Sequence, residues 1–145
     1  MTASLDAPCP PDRLREWVDD LERYPAWLSI VPRADRDAFE ADGDQPPSWS
    51  VELRATLGPL ARSKRLRMVR TVDEPGHLRF ERRETDGRQH SPWVLDATIE
   101  TRDGGAASRL VMNLHYGGSF GGNLLERLLG DEIERSKPRL LELVA

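Results

Sequence analysis

At 145 residues the chain is long enough for one domain with a real core and short for two. A hydrophobic share of 38% beside 32% charged residues suits a soluble globular protein, and a formal charge of −4 leaves no basic excess to displace counterions from nucleic-acid phosphates. The one cysteine, Cys9, excludes a disulfide framework or thiolate metal cluster, and no apolar run approaches the length that spans a bilayer.

The N-terminus, Met1 to Asp6, lacks the basic region and apolar core of a secretory signal. A cytoplasmic protein without stable membrane insertion is therefore expected. A short first strand over Thr2–Asp6 is followed by a turn, Ala7 to Asp12. Asp12 is placed to cap a helix that buries Leu14, Trp17, Val18 and Leu21. Tyr24-Pro25 ends it, since a residue before proline avoids the helical region. A second short helix is expected over Ala26–Val31, then a strand over Arg33–Ala41 and a polar turn over Asp42–Pro47.

From Ser48 the apolar period is two, the signature of half-buried strands. Trp49, Val51, Leu53, Ala55 and Leu57 share a face before Gly58-Pro59. Leu66, Met68, Arg70 and Val72 follow within Arg65–Val72, and Asp73-Glu74-Pro75-Gly76 reads as a turn. Leu78, Phe80, Arg82 and Glu84 share the next face, with a second turn over Thr85–Ser91. Trp93, Leu95, Ala97 and Ile99 alternate up to Asp103-Gly104-Gly105. The last strand sets Leu110, Met112, Leu114 and Tyr116 on one side.

Gly117-Gly118 and Gly121-Gly122 then bracket Ser119-Phe120 and open a long helix, with no lysine to make the run a phosphate loop. Its buried stripe is Leu125, Leu129, Ile133, Ser136, Leu140 and Val144, and Pro138 falls on the polar arc. Laying this helix across one curved sheet is the simplest way to bury the stripe.

Antiparallel pairing that keeps the apolar sets together predicts specific neighbours. The first hairpin pairs Leu78 with Val72, Phe80 with Arg70, and Arg82 with Met68. The second pairs Phe80 with Ala97, Arg82 with Leu95, and Glu84 with Trp93. The third pairs Ala97 with Met112, Leu95 with Leu114, and Trp93 with Tyr116.

One strand, two short helices, about six antiparallel strands and a long C-terminal helix make an α+β helix-grip order. Ala7-Pro8 before a helix, the run Leu21-Glu22-Arg23-Tyr24-Pro25-Ala26-Trp27, and Trp93-Val94-Leu95-Asp96 with Ser108-Arg109-Leu110 and Tyr116-Gly117-Gly118 resemble the START-like (SRPBCC) superfamily. The similarity spans essentially all of residues 1–145 and is strongest to its bacterial polyketide cyclase/dehydrase-type members. It implies a single helix-grip domain with a deep cavity between sheet and C-terminal helix. Arg82-Arg83-Glu84-Thr85 is loosely similar to a segment of single-domain polyketide aromatase/cyclases, although Asp86-Gly87-Arg88 departs from their continuation.

Arg70, Arg82 and Glu84 interrupt an otherwise apolar face. A charge there needs a partner, a solvated rim or a ligand. Arg82 and Glu84 either bridge each other at the rim or, together with Arg70, anchor a ligand's carbonyl or carboxylate, with Arg as a fixed fork of donors. Tyr116 is either structural or a donor near the mouth. The expected wall is Trp49, Leu53, Met68, Phe80, Trp93, Leu95, Met112 and Leu114 from the sheet, with Leu125 and Leu129 from the helix; each also serves as ordinary core.

The expected partner is a small hydrophobic molecule, held by a monomer or weak homodimer that binds no nucleic acid. An aromatase/cyclase or dehydratase using Arg82, Glu84 and Tyr116 is the alternative, and a ligand-free adaptor a third. No metal or cofactor is expected. His77 and His90 fall in turns, His115 lies on the outer face, and Cys9 has no histidine near it.

Overall fold

Alternating apolar side chains from Trp49 onward make strands, because successive residues of an extended chain point to opposite sides and only one side is covered. The computed structural model describes residues 1–145 apart from 39–44, 58 and 118–121, and apart from the side chains of 57, 60 and 122–125. In chain order come β1 (Thr2–Ala7), α1 (Pro11–Arg15), a 3₁₀ segment (Leu21–Ala26), β2 (Arg33–Arg36), β3 (Ser48–Leu57) and β4 (Leu60–Glu74). They are followed by β5 (His77–Arg82), β6 (Trp93–Arg102), a 3₁₀ turn (Asp103–Gly105), β7 (Ala107–Tyr116) and α2 (Gly122–Val144). The seven strands form one antiparallel sheet in the order β1-β7-β6-β5-β4-β3-β2. The architecture is the START-like helix grip.

The register follows the apolar pattern wherever the backbone is regular. Trp93 lies opposite Tyr116, Leu95 opposite Leu114, and Ala97 opposite Met112, as expected. Met68 faces Arg82 and Arg70 faces Phe80, but a bulge between Arg70 and Val72 puts Leu78 opposite Asp73 instead of Val72. Between β5 and β6 the expected pairing is displaced by two residues, with Phe80 opposite Leu95 and Leu78 opposite Ala97. A shift of two leaves every side chain on its expected face. Its cause is the connection after Arg82. That segment holds Glu84 off the strand through bonds from the Arg67 amide and Arg82 Nε, each 3.0 Å long.

The helical connector differs more from expectation. α1 starts after Pro10, with Pro11 in its first turn, and Asp12 does not cap it. It stops at Arg15 yet still buries Leu14, and Val18 beyond it is fully buried too. Asp20 caps the 3₁₀ segment by accepting from the Glu22 amide at 3.0 Å. Pro25 lies inside this segment, and no helix spans Ala26–Val31. The tighter 3₁₀ geometry suits so short a piece, and a proline without N–H forbids its growth into a regular helix. β2 is shorter than expected, because Asp37 leaves the strand to accept from Ser48 Oγ at 2.6 Å and Ser50 Oγ at 3.1 Å. Residues 39–41 of the expected strand and 42–44 of the following turn lie outside the described residues.

α2 buries the stripe read from its spacing: Leu129, Ser136, Leu140 and Val144 are each under 5% exposed. Each buried aliphatic contributes about 1.5–3 kcal/mol. Pro138 is exposed within the unbroken helix. Arg13 on α1 grips the helix end, donating from Nε to the Val144 carbonyl at 2.8 Å and from Nη2 to the Ala145 carbonyl at 3.1 Å. These are carbonyls that no further turn of helix would satisfy.

Two glycines give opposite predictions. Gly117 donates to the Pro92 carbonyl at 3.0 Å, and a Cβ there would meet Pro92 Cδ at 2.8 Å. Gly117→Ala should cost about 1–3 kcal/mol in urea denaturation. A Cβ at Gly130, inside α2, meets nothing within 4 Å. Gly130→Ala should therefore stabilise by about 0.5–1 kcal/mol in the same assay.

Candidate functional site

Between the covered face of the sheet and α2 lies a cavity of about 160 Å³. Strand parity brings Leu53, Met68, Trp93, Leu95, Met112 and Leu114 to its wall, and the α2 stripe adds Leu129, Ile133, Ser136 and Leu140. Seven expected wall residues therefore meet in one place: those six from the sheet and Leu129. The Leu125 side chain lies outside the described residues, as do Gly118, Ser119, Phe120 and Gly121 of the glycine-rich run before α2.

Other walls come from parts not expected to line the cavity. The connector contributes Leu21, Tyr24, Leu28, Ile30 and Val31, and β1 contributes Ala3 and Leu5 at the sheet edge. Val51 and Leu66 also line the space. They share a face with Leu53 and Met68, so alternation alone could have found them. The β1 residues needed the register Ala3–Met112 and Leu5–Leu110, which only the fold supplies.

Trp49 and Phe80, expected in the wall, are fully buried elsewhere and do not line the cavity. Their rings meet edge-to-face at 5.6 Å and 70°, and Tyr24 meets Phe80 at 6.4 Å and 77°. Trp49 Nε1 donates to Asp20 Oδ1 at 3.0 Å, and the Tyr24 hydroxyl donates to the Val18 carbonyl at 2.9 Å. Burial, followed by the charge of Asp19, pushes the Tyr24 phenol far above its usual value and keeps it neutral. The three rings form an aromatic plug that seals the space where the connector crosses the sheet.

The charged residues on the apolar face are also turned away from the cavity. Arg70 donates from Nη1 to the Asp19 carbonyl at 2.9 Å and pairs through Nη2 with Asp73 at 3.2 Å. Arg82 pairs with Glu84 and donates from Nη1 to the Ser91 carbonyl at 3.3 Å. Its Nη2 lies 3.3 Å from His90 Nδ1, which must accept from a guanidinium, while His90 Nε2 lies 2.8 Å from Asp86 Oδ2. His90 is thus part of the loop's wiring, and His77 Nε2 likewise lies 2.7 Å from Asp96 Oδ1. Neither arginine is among the lining residues, nor is Glu84. The reason is local: β5 ends at Arg82, and the chain beyond it supplies enough acceptors to satisfy the guanidinium.

Tyr116 stacks on Trp93 at 5.3 Å and 25° without lining the cavity. Burial, with a smaller push from Glu126, raises its phenol. The expected catalytic trio of Arg82, Glu84 and Tyr116 therefore does not converge on the cavity.

With this geometry in place, the protein family described as polyketide cyclase/dehydrase and lipid transport matches residues 1–144. The chain belongs to that family. No curated protein matches its sequence. Among solved structures it is similar to a Thermus thermophilus protein at 19% identity and a TM-score of 0.74, covering 99% of this chain and 95% of the other. It is also similar to a START superfamily protein from Mycobacterium smegmatis, at 14% identity and a TM-score of 0.69, with 99% and 95% covered. The Zhui aromatase/cyclase from a Streptomyces species matches at 13% identity and a TM-score of 0.68, with 99% and 92% covered. At these identities the likeness concerns the fold.

Within this family member, no group of three or more His, Cys, Asp or Glu among the described residues could hold a metal ion. No helix among them is long and apolar enough to cross a membrane.

Burial pushes the Glu84 carboxyl up, but the Arg67 amide and the Arg82 guanidinium hold it net below its ordinary value of 4.5. A depressed acid stabilises the fold above its unfolded pKa, and that contribution disappears as pH falls through the folded value. Below pH 4.5 wild type should therefore lose stability more steeply than Glu84→Gln, as read by urea midpoints across acid pH. Parallel curves would refute the assignment.

Proposed function

We propose that the protein binds a small hydrophobic molecule in the cavity between sheet and α2, of the lipid, isoprenoid or polyketide-like class. The observation that carries this reading is the lining. Aliphatic and aromatic side chains surround the space, and among the described lining residues Lys137 is the one with an ionisable side chain apart from the buried, neutral Tyr24. Lys137 is itself paired with Glu134 at 2.7 Å. A space of about 150 Å³ with such walls stays dry and accepts a benzene-sized guest. A longer ligand requires α2 to lift from the sheet, and α2 is joined to the connector at its far end through Arg13 and in its middle by the Ser29 hydroxyl donating to Glu132.

Binding is favoured over aromatase/cyclase chemistry by where the acid–base candidates lie. Proton transfer needs a donor or acceptor within hydrogen-bond reach of the reacting atom. Arg82 and Glu84 satisfy each other in the loop, and Tyr116 lies behind Trp93. The family resemblance supports both readings equally; the lining supports the carrier.

The test is displacement of a solvent-sensitive dye by small apolar compounds, in wild type and in Met112→Trp, which fills the space from the middle of β7. Met112→Trp should keep the wild-type circular dichroism and weaken displacement by more than about tenfold, a loss of about 1.4 kcal/mol. Arg82→Ala should leave affinity within about threefold, since its side chain serves the loop. Equal affinity in wild type and Met112→Trp would place the ligand elsewhere.

A further inference from the structure

Charge is unevenly spread along the chain. Six of its 21 basic residues, Arg54, Arg62, Lys64, Arg65, Arg67 and Arg70, lie between Leu53 and Val72, and none of its 25 acidic residues does. This stretch therefore carries +6, while the rest of the chain, with 15 basic and 25 acidic residues, carries −10. It belongs to the β3–β4 hairpin, whose two ends differ. Away from the turn the cations are satisfied: Arg67 Nε lies 3.4 Å from Asp37, Arg67 Nη1 donates to the Arg83 carbonyl at 2.8 Å, and Arg70 is held by Asp19 and Asp73. Toward the turn, Arg54, Arg62 and Arg65 are exposed, and their side chains have no ion-pair partner among the described residues. Glu52 lies opposite Arg65 in register without bridging it.

Strand parity sets these cations on both faces of the hairpin. Arg62 and Lys64 alternate in step with Leu66 and Met68 of the covered face, whereas Arg54 and Arg65 have the opposite parity. The Lys64 ammonium lies 5.7 Å from the Trp93 ring centroid, and burial, followed by the charge of Arg82, pulls it below its usual pKa. Arg62 and Lys64 also line a small extension that shares Ile30, Leu53, Trp93 and Leu129 with the main cavity. The basic end of the hairpin therefore borders the cavity.

We propose that this end of the β3–β4 hairpin docks on an anionic phospholipid surface, with Arg54, Arg62, Lys64 and Arg65 against the headgroups. Charge complementarity sets the sign of the partner, and the −10 carried elsewhere turns the molecule so that the hairpin arrives first. Half-buried Leu53 and Ala55 among long basic stems suit the boundary between headgroups and acyl chains. A polynucleotide calls for stacking surfaces, and no aromatic residue lies between Trp49 and Phe80. The docking goes beyond the binding reading above and does not need it. Where both hold, the extension of the cavity faces the lipid from which an apolar guest would partition.

The experiment is co-sedimentation of the wild-type protein with vesicles, either of phosphatidylcholine alone or of phosphatidylcholine and phosphatidylglycerol in equal parts. The protein should bind the anionic vesicles, stay in solution with the neutral ones, and come off as salt rises toward about 1 M, where screening cuts the reach of charge to about 3 Å. Each cation removed should weaken binding about fivefold, so Arg62→Gln with Arg65→Gln should lose about 25-fold. Arg102→Gln with Arg139→Gln makes the same change of charge at exposed positions off the hairpin and should lose less than about threefold. Met112→Trp should bind as wild type does, so a failed displacement assay would leave the docking standing. Equal binding to both vesicle types, equal losses in the two arginine pairs, or loss of binding in Met112→Trp would overturn the proposal, as would no binding to either vesicle. Tighter binding to a single-stranded DNA oligonucleotide than to the anionic vesicles would overturn it in favour of nucleic acid.

Discussion

A seven-stranded antiparallel sheet exposes one broad apolar face, and here a single long helix has to cover it. Strands spaced about 4.7–4.9 Å apart make such a sheet roughly 30 Å wide, whereas a helix with its side chains is about 10–12 Å across. The mismatch shapes the rest of the molecule. Curvature brings the sheet edges toward α2, and the connector of α1 and the 3₁₀ segment fills one flank with Leu14, Val18 and the Tyr24–Phe80–Trp49 plug. What neither element reaches is the cavity. Arg13 and Arg15 hold the connector in place: Arg13 bonds the end of α2, and Arg15 bonds the Glu74 carbonyl at the β4–β5 turn at 2.7 Å.

Side-chain parity made much of this legible beforehand. The α2 stripe from Leu129 to Val144 and the β6–β7 pairing of Trp93 with Tyr116 are consequences of period alone, and both appear as read. Parity also survives errors of two residues, which is why Leu95, Met112 and Leu114 reach the cavity although the β5–β6 register was displaced. What parity cannot say is how far along a strand a residue sits relative to its covering element. Trp49 and Phe80 share a face with Leu53 and Met68, yet the connector lands on the first pair and leaves the second open. Nor could it show that β1 pairs with β7, or that Pro25 sits inside a 3₁₀ segment.

The polar residues carry a related lesson. Arg70, Arg82 and Glu84 stood out because charges break an apolar alternation, and a charge on a covered face demands a partner. The demand is met locally, by Asp19 and Asp73 for Arg70 and by Glu84, Ser91 and His90 for Arg82. Among the described residues of the wall, the indole nitrogen of Trp93 is buried without a hydrogen-bond partner. A fold of this kind hosts many functions, and what distinguishes them is the chemistry of the few groups facing the cavity.

The central claim is that the space under α2 is a binding site and not a packing defect. Native mass spectrometry of the purified protein, before and after organic extraction and with apolar compounds added back, tests it most directly. The account predicts a stoichiometric bound mass that extraction removes, that an apolar compound restores, and that Met112→Trp does not retain. A protein whose mass stays that of the bare chain under every condition, wild type and variant alike, would contradict it.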